Sequence, residues 1–303
     1  MLNNNNQNTF LPAAALLLGA SIWGIIWYPI RLLEQAGISG AISTTVTYFI
    51  ALIMGLILFR KELRYNIIFN GNAHLLFWIC FFAGWTNIAY ILAVILGEIA
   101  RVLLLFYLSP LWTILFARLL LNEQLIPQGY LVMALSITGA VVMLWHPDTP
   151  FPLPKSYGDW LGLTGGIMFA LVNVLIRKDH SHSIELKSIA IWLGATLIGL
   201  GCSFFFVESL HVIDIALQHW KLLLLIGVAM FLLSIMVQYG LTYTPANRAI
   251  ILLMFELVVA AVTAYFLANE ALTWRELVGG GMIVAAGLLS VRLNPSHDAR
   301  STT

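Results

Sequence analysis

Long apolar runs, separated by short polar stretches, dominate the chain from residue 10 to residue 292. A helix needs about 20 apolar residues to cross a hydrocarbon core about 30 Å thick. The strands of a β-barrel would be about half as long and would alternate apolar and polar positions. The pattern therefore predicts an all-α membrane protein with ten transmembrane helices, near residues 10–30, 40–59, 73–96, 100–121, 127–146, 158–177, 186–207, 218–242, 247–268 and 273–292.

One stretch of the chain occurs twice. Residues 101–125 read RVLLLFYLSPLWTILFARLLLNEQL, and residues 248–272 read RAIILLMFELVVAAVTAYFLANEAL. They align without gaps at an offset of 147 residues, which pairs Glu123 with Glu270. The starts of the two halves match at an offset of 146 residues, which pairs Trp23 with Phe169. The chain therefore consists of two related halves, and this repeat governs how the other features are interpreted.

The number of spans in each half sets how the halves enter the membrane. Five is an odd number, so the second half has the opposite orientation to the first, as in many secondary transporters. We therefore predict two inverted five-helix repeats, at 10–146 and 158–292, with polar tails at 1–9 and 293–303. The linker between them, 147–157, contains four prolines that cannot continue a helix, and we expect a stiff, extended extracytoplasmic spacer.

The distribution of Lys and Arg predicts the orientation of the chain. If the N-terminus is cytoplasmic, ten of the 15 basic residues lie on the inner side and five on the outer side. We therefore expect both termini in the cytoplasm and an integral multi-pass protein of a bacterial inner membrane. No Lys or Arg precedes the first apolar run, so we expect that run to be a retained span rather than a signal peptide.

Composition narrows the functional classes. Hydrophobic residues make up 60% of the chain and charged residues 10%, and the mean hydropathy is +0.91. Soluble proteins are about 45–50% apolar and about 25% charged. The net charge of +1 does not favour nucleic acid as a partner, and the two cysteines lie inside apolar runs. We expect no metal and no cofactor; the expected partners are the lipid bilayer and a small-molecule substrate, and a homodimer is left open.

Glu256 is the clearest polar residue at membrane depth. A carboxylate at mid-membrane costs on the order of 2.5–3.5 kcal/mol, so it needs a partner or a use. One interpretation is that Glu256 binds a substrate ammonium or carries a coupling proton. The other is that it is protonated and only stabilises helix packing. The sequence favours neither interpretation. Its repeat counterpart is Ser109, beside Pro110. That proline frees a carbonyl near Phe106, which either faces a cavity or only accompanies helix curvature.

Other polar and aromatic residues fall inside the predicted spans. Alone, each is more often a packing residue, because Asn and Gln also join helices in membranes. Together they predict a substrate cavity between the halves, with an apolar lining and a few polar groups. These candidates are Trp23, Trp27, Asn87, Tyr90, Tyr107, Asn173, Gln238 and Tyr239.

The loop at residues 177–187 contains His180 and His182. Two histidines at this spacing are a weak metal signal, so we expect a solvated loop.

Several short motifs resemble the drug/metabolite transporter superfamily, in its EamA-like branch. They read YLSPL at 107–111, LNE at 121–123, YTPA at 243–246, FE at 255–256 and ANE at 268–270. In this branch proline often follows the glutamate, whereas this chain has Leu257. The resemblance implies a ten-span metabolite transporter, frequently an exporter of amino acids or related compounds. It also implies a structural repeat motif, formed by Pro110, Asn122, Glu123, Asn269 and Glu270.

We expect the two glutamates of this motif to accept hydrogen bonds from the N-terminal amides of the span that follows each of them.

A secondary transporter with alternating access at the central cavity explains most of these features. A multidrug or organic-cation exporter of the same fold is the alternative. An intramembrane enzyme would need a paired catalytic set, and a channel would need a ring of polar residues, so both are weaker hypotheses. The sequence lacks the glycine-rich phosphate loop GxxxxGK[ST], so we do not expect ATP to drive transport directly.

Overall fold

The computed structural model describes residues 10–69, 72–97, 99–145, 153–206, 211–268 and 273–292. These ranges contain helices and connecting turns but no strand. In chain order the helices are α1 Phe10–Gln35, α2 Gly40–Leu58, α3 Tyr65–Ile68, α4 Ala73–Leu96, α5 Ile99–Phe106, α6 Ser109–Leu121, α7 Pro127–Leu144, α8 Tyr157–Lys178, α9 Ile184–Phe206, α10 His211–Gln218, α11 Trp220–Tyr243, α12 Ala246–Leu253, α13 Phe255–Ala268 and α14 Trp274–Arg292.

In the described residues, nine stretches are long and apolar enough to cross a membrane, and they coincide with the first nine predicted spans. The tenth predicted span falls on α14, a continuous helix that is not among those nine. The all-helical prediction is confirmed. The short helices α3 and α10 were not predicted. The two polar tails, most of the proline-rich linker, Asn269 and Glu270 lie outside the described residues.

Local chemistry explains where helices begin and end. Ser156 and Asp159 form a capping box at the start of α8, in which each side chain bonds the backbone N–H of the other residue. Asn122 ends α6 in the left-handed conformation, with φ of 55°, which asparagine tolerates better than most residues. The N–H of Glu123 then donates to the Ala117 carbonyl at 3.1 Å, closing the helix end.

The fourth and ninth spans are both interrupted, and at equivalent positions. The fourth breaks between α5 and α6 at Tyr107 and Leu108, and the ninth breaks between α12 and α13 at Met254, which is the repeat counterpart of Tyr107. Tight i+3 bonds replace regular helix bonds there, from Leu111 to Leu108 at 2.9 Å and from Leu257 to Met254 at 3.1 Å. The ninth span therefore breaks without the proline that the family often has.

Each span packs mainly on spans of the other half, and equivalent spans of the two halves have equivalent partners. The helix α1 packs on α11 and α13, and its counterpart α8 packs on α4 and on α5 with α6. The helices α2 and α9, which are counterparts, pack on each other, and so do α7 and α14. Most of the packing therefore joins one half to the other.

Glycines allow these helices to approach closely. Gly139 of α7 and Gly279 of α14 face each other, and a Cβ added to Gly139 would lie 2.7 Å from the Gly279 carbonyl. Gly84 of α4 and Gly194 of α9 form a similar contact between backbones. In a membrane the hydrophobic effect does not drive helices together, so close van der Waals packing at small residues stabilises such crossings.

Large apolar side chains cover the outside of the bundle. Examples from different spans are Leu18, Phe49, Leu119, Leu225 and Phe266, each at least half or nearly half exposed. A contiguous apolar exterior of this kind is unfavourable in water and favourable against lipid tails.

Candidate functional site

The carboxylate of Glu256 faces two tyrosines in the interior of the bundle. The Tyr107 hydroxyl is its hydrogen-bond partner, and Tyr90 lies close enough to interact with it electrostatically. Glu256 lies in the first turn of α13. It is half-buried, although it lies about 15 Å along the span from Ala246 at 1.5 Å per residue. This is the predicted carboxylate at membrane depth, and two predicted site residues lie beside it.

A chain of aromatic rings extends from this group across the boundary between the halves. Tyr90 and Tyr107 both contact Phe106, with ring centroids 5.0 Å and 5.6 Å away. Phe106 contacts Phe169 of α8 at 5.5 Å, and Phe169 contacts Trp23 of α1 at 6.3 Å. Aromatic faces attract cations, so this lining suits an organic cation or an aromatic group next to a carboxylate.

Met254 forms another side of the site. It is buried and packs in one cluster with Phe106, Tyr107 and Leu257. Its sulfur accepts a hydrogen bond from the hydroxyl of Ser136 of α7 at 2.9 Å. The site therefore uses residues from α4, α5, α7, α8 and α13, together with the interruptions of spans four and nine.

Three predicted site residues serve contacts elsewhere. The Trp27 indole donates to the Thr263 hydroxyl at 3.1 Å, which joins α1 to α13. The Asn87 amide donates to the Ala83 carbonyl at 2.8 Å and also bonds Tyr48 of α2. Tyr239 packs against Tyr243 on its own helix, with ring centroids 5.0 Å apart. The structure does not bring these three into the Glu256 group.

The carbonyl freed by Pro110 is covered by a neighbouring helix. Phe106 lies four residues before Pro110, and its carbonyl abuts Gly166 of α8, where an added Cβ would collide with it. Ser109, the counterpart of Glu256, is buried at the start of α6, and its own carbonyl accepts from the Thr113 hydroxyl at 3.0 Å. The proline therefore breaks the span and permits close helix packing.

Glu123 closes the bundle at the end that we predict to be cytoplasmic. Its two oxygens accept from the Ala246 N–H at 2.9 Å and from Arg177 Nε at 3.5 Å. Arg177 also donates to the Thr242 carbonyl at 2.5 Å. Burial raises the pKa of Glu123, although Ala246 and Arg177 act in the opposite direction.

The expectation that Glu123 caps the span that follows it is wrong. Glu123 accepts from Ala246, which opens the ninth span rather than the fifth, and Pro127, which opens the fifth, has no N–H to donate. The glutamate therefore joins the first half to the second.

The loop after α8 is less solvated than expected. Asp179 and His182 are buried, with His182 Nδ1 2.8 Å from Asp179 Oδ2, whereas His180 is exposed. Burial alone would raise the pKa of Asp179, but hydrogen bonds from His182 and Ser181 outweigh it and leave the pKa lowered. Lys187 is fully buried and donates to the carbonyls of Ile176 and Asp179, which satisfies the end of α8.

This loop is tied to the connection between the second and third spans. Ser183 donates to Glu62 at 2.8 Å, and Asn72 donates to Ser181 at 3.1 Å.

Sequence reasoning missed several residues of the site. Phe106 and Met254 carry no polar signal in an apolar run, so only the tertiary packing identifies them. Phe169 could have been found, because it is the repeat counterpart of the candidate Trp23. Arg177 was counted only as a basic residue at the inner end of a span.

Comparisons with known proteins identify transporters among the relatives of this chain. Residues 156–292 match the EamA-like transporter family. An uncharacterized transporter of Archaeoglobus fulgidus is 28% identical over 216 residues, covering 68% of this chain and 72% of that protein. The pseudopaline exporter CntI of Pseudomonas aeruginosa is 25% identical over 252 residues, covering 81% of each chain.

A solved crystal structure has the same fold, with a TM-score of 0.73 and 16% identity, and the match covers 94% of this chain and 98% of the other. The apolar spans and the similarity to transporters together show that the protein is an integral multi-pass membrane protein in contact with lipid. The match of residues 156–292 to the EamA-like transporter family agrees with the resemblance that the short motifs predicted.

Proposed function

We propose that this protein is a secondary transporter that exports amino acids or related small metabolites by alternating access at a central cavity between its halves. The observation that carries the proposal is the Glu256 carboxylate, which faces Tyr107 and Tyr90 at membrane depth. An enzyme would need a second reacting group beside this carboxylate, and the tyrosines are better suited to bind a cation than to react with one.

The architecture that we propose is a ten-span bundle of two inverted five-span repeats. The exchanged packing partners support it, because a twofold relation between the halves produces this pattern. The excess of Lys and Arg in the inner loops supports cytoplasmic termini in a bacterial inner membrane. Rocking of one half against the other around Glu256 would then expose the site to each side in turn.

The chemistry of the site favours a solute with an ammonium group. A carboxylate neutralises the ammonium, and the rings of Tyr90 and Tyr107 contribute cation–π attraction. The Tyr107 hydroxyl can hydrogen-bond the side chain when no cation is bound, so Glu256 can also release and accept a proton between transport steps. One relative is named as an exporter, which supports export as the direction.

Transport by the Glu256→Gln variant tests this function. The amide keeps the size of the side chain and one acceptor but cannot titrate or neutralise a cation. In proteoliposomes with labelled amino acids, with and without a pH gradient, we expect the variant to insert normally and lose most transport and its pH dependence. Glu34→Gln, at an exposed position at the end of α1, is the matched control. Wild-type rates and pH dependence in Glu256→Gln would mean that Glu256 only packs the bundle.

The aromatic lining also suits a hydrophobic organic cation, which makes a multidrug exporter the second candidate. The same liposomes separate the two if tetraphenylphosphonium is included in the panel. Uptake of this cation without amino-acid uptake would replace the metabolite hypothesis.

A further inference from the structure

Three buried amide side chains have polar atoms without a partner. Asn173, Gln238 and Asn247 are 4%, 3% and 5% exposed. Among the residues that the structure describes, Asn173 Nδ2, Gln238 Oε1 and Asn247 Oδ1 find no hydrogen-bond partner. Buried amides are normally satisfied, and lipid cannot satisfy them, so each points to a ligand or water.

The three side chains lie within about one helical turn of one another in depth, just inside the closure formed by Glu123. Arg177 contacts Thr242, and Asn173 and Gln238 each precede one of these residues by four positions. Residues four apart on a helix lie one turn apart on the same face, so the two amides lie one turn deeper than Arg177 and Thr242, on two helices that pack on each other. Asn247 and Asn173 each lie one turn from a buried cluster that joins their helices: Ile251, four residues after Asn247, belongs to this cluster, and Phe169, four residues before Asn173, packs against it.

The distance between these amides and Glu256 along the spans follows from the number of helical residues between them. Ala246 and Arg177 both contact Glu123, so they lie at similar depth. Glu256 lies about 15 Å beyond Ala246, and Asn173 lies about 6 Å inside Arg177, at 1.5 Å per residue. Along the spans, Asn173 is therefore about 9 Å and Asn247 about 14 Å from the level of the carboxylate, both on the side of Glu123.

We infer that Asn173, Gln238 and Asn247 form a second subsite, which binds an uncharged polar group at the far end of a solute whose ammonium contacts Glu256. The inference rests on the proposed function, because it takes Glu256 as the other end of the site. One unpartnered donor and two unpartnered acceptors require a group that both donates and accepts, such as a primary amide or a hydroxyl. A carboxylate has no donor and would leave both acceptors unsatisfied.

Two probes of matched length test the subsite. 6-Aminohexanamide carries an ammonium and a distal amide on a chain comparable to the separation above, and hexylamine carries the ammonium alone. Binding of each to the purified full-length protein in detergent is measured by calorimetry. We expect 6-aminohexanamide to bind about tenfold more tightly. Hexylamine is the more apolar probe, so its transfer from water into an apolar site is more favourable than that of 6-aminohexanamide. Tighter binding of 6-aminohexanamide must therefore come from hydrogen bonds.

Variants locate the preference. Asn173→Leu and Gln238→Met remove the polar atoms with little change in volume, and each should reduce the affinity ratio to near one while hexylamine affinity stays unchanged. Gln124→Met, at an exposed position beside the same closure, should keep the wild-type ratio. 6-Aminohexanoate should bind no better than hexylamine.

Each outcome decides a separate point. Equal affinity of the two probes for the wild-type protein overturns the subsite and means that water satisfies the amides. This outcome is measured on the wild-type protein, so it does not depend on whether any variant folds. A preference that survives Asn173→Leu and Gln238→Met overturns it as well. If Glu256→Gln leaves hexylamine binding unchanged, the proposed function fails at Glu256, whatever the amide ratio shows.

Discussion

Trp23 and Phe169 contact each other, with ring centroids 6.3 Å apart, although they occupy the same position in the two halves of the chain. In the proposed twofold arrangement, a residue can touch its own repeat counterpart only beside the axis that relates the two halves. The contact therefore marks the centre of the exchanged packing, and the Glu256 group is connected to it through Phe106. An alternating-access transporter is expected to bind its solute at such a point, because motion of either half changes access there.

The closure at Glu123 should contribute to stability. Glu123→Ala leaves the Ala246 N–H without its acceptor and removes the carboxylate that pairs with Arg177 Nε, and loss of a buried hydrogen-bond partner costs about 1–3 kcal/mol. We expect a lower melting temperature in detergent and a lower folded yield. Glu123→Gln keeps one acceptor for Ala246 and should lie between the wild type and Glu123→Ala. Normal yield with an altered substrate profile would instead assign Glu123 to substrate selection.

Asp179 should stabilise the protein in a pH-dependent way. Its lowered pKa means that the folded state favours the carboxylate, so its contribution is present above the ordinary value of 3.8 and is lost as pH falls through the folded value. Asp179→Asn should therefore melt at a lower temperature than the wild type at neutral pH, with a difference that narrows only in strong acid. Melting curves in detergent across the pH range check this, and a constant difference at all pH values would contradict it.

Close packing of α7 on α14 should make Gly139 sensitive to substitution. In Gly139→Ala the new Cβ would lie 2.7 Å from the Gly279 carbonyl, so the helices must separate, and we expect a loss of about 1–3 kcal/mol. Gly287→Ala is the matched control, because a Cβ there meets nothing within 4 Å. Alanine is the better helix former by about 1 kcal/mol, so the control should be neutral or stabilising. Similar melting temperatures for both variants would show that the crossing is loose.

Orientation can be measured with reporter fusions. Fusions after Arg64 and after Lys187 should report a cytoplasmic location, and a fusion after Pro152 should report an extracytoplasmic one, because basic residues concentrate in the inner loops. The reverse pattern would invert the proposed topology, and the closure at Glu123 would then face the outside.

The sequence by itself determined the membrane as the environment of the chain, the positions of nine long apolar helices and the repeat. Each of these follows from local composition or from comparison of the chain with itself, since a span is recorded in about 20 consecutive residues. It also selected Glu256, because a carboxylate in an apolar run is conspicuous without knowledge of its neighbours. The positions of α3 and α10 and the exact helix ends depend on weaker signals, and the sequence did not specify them.

Tertiary structure decided which candidates share a site. Tyr107 and Tyr90 join Glu256, whereas Trp27 and Asn87 bond neighbouring helices, and nothing in the sequence distinguishes the two groups. The direction in which each of these side chains points depends on how its span packs against spans of the other half. For the same reason Glu123 accepts from the ninth span rather than the fifth: the partner of a side chain at a helix end depends on which helix end packs beside it, and that contact is made across more than 100 residues of chain.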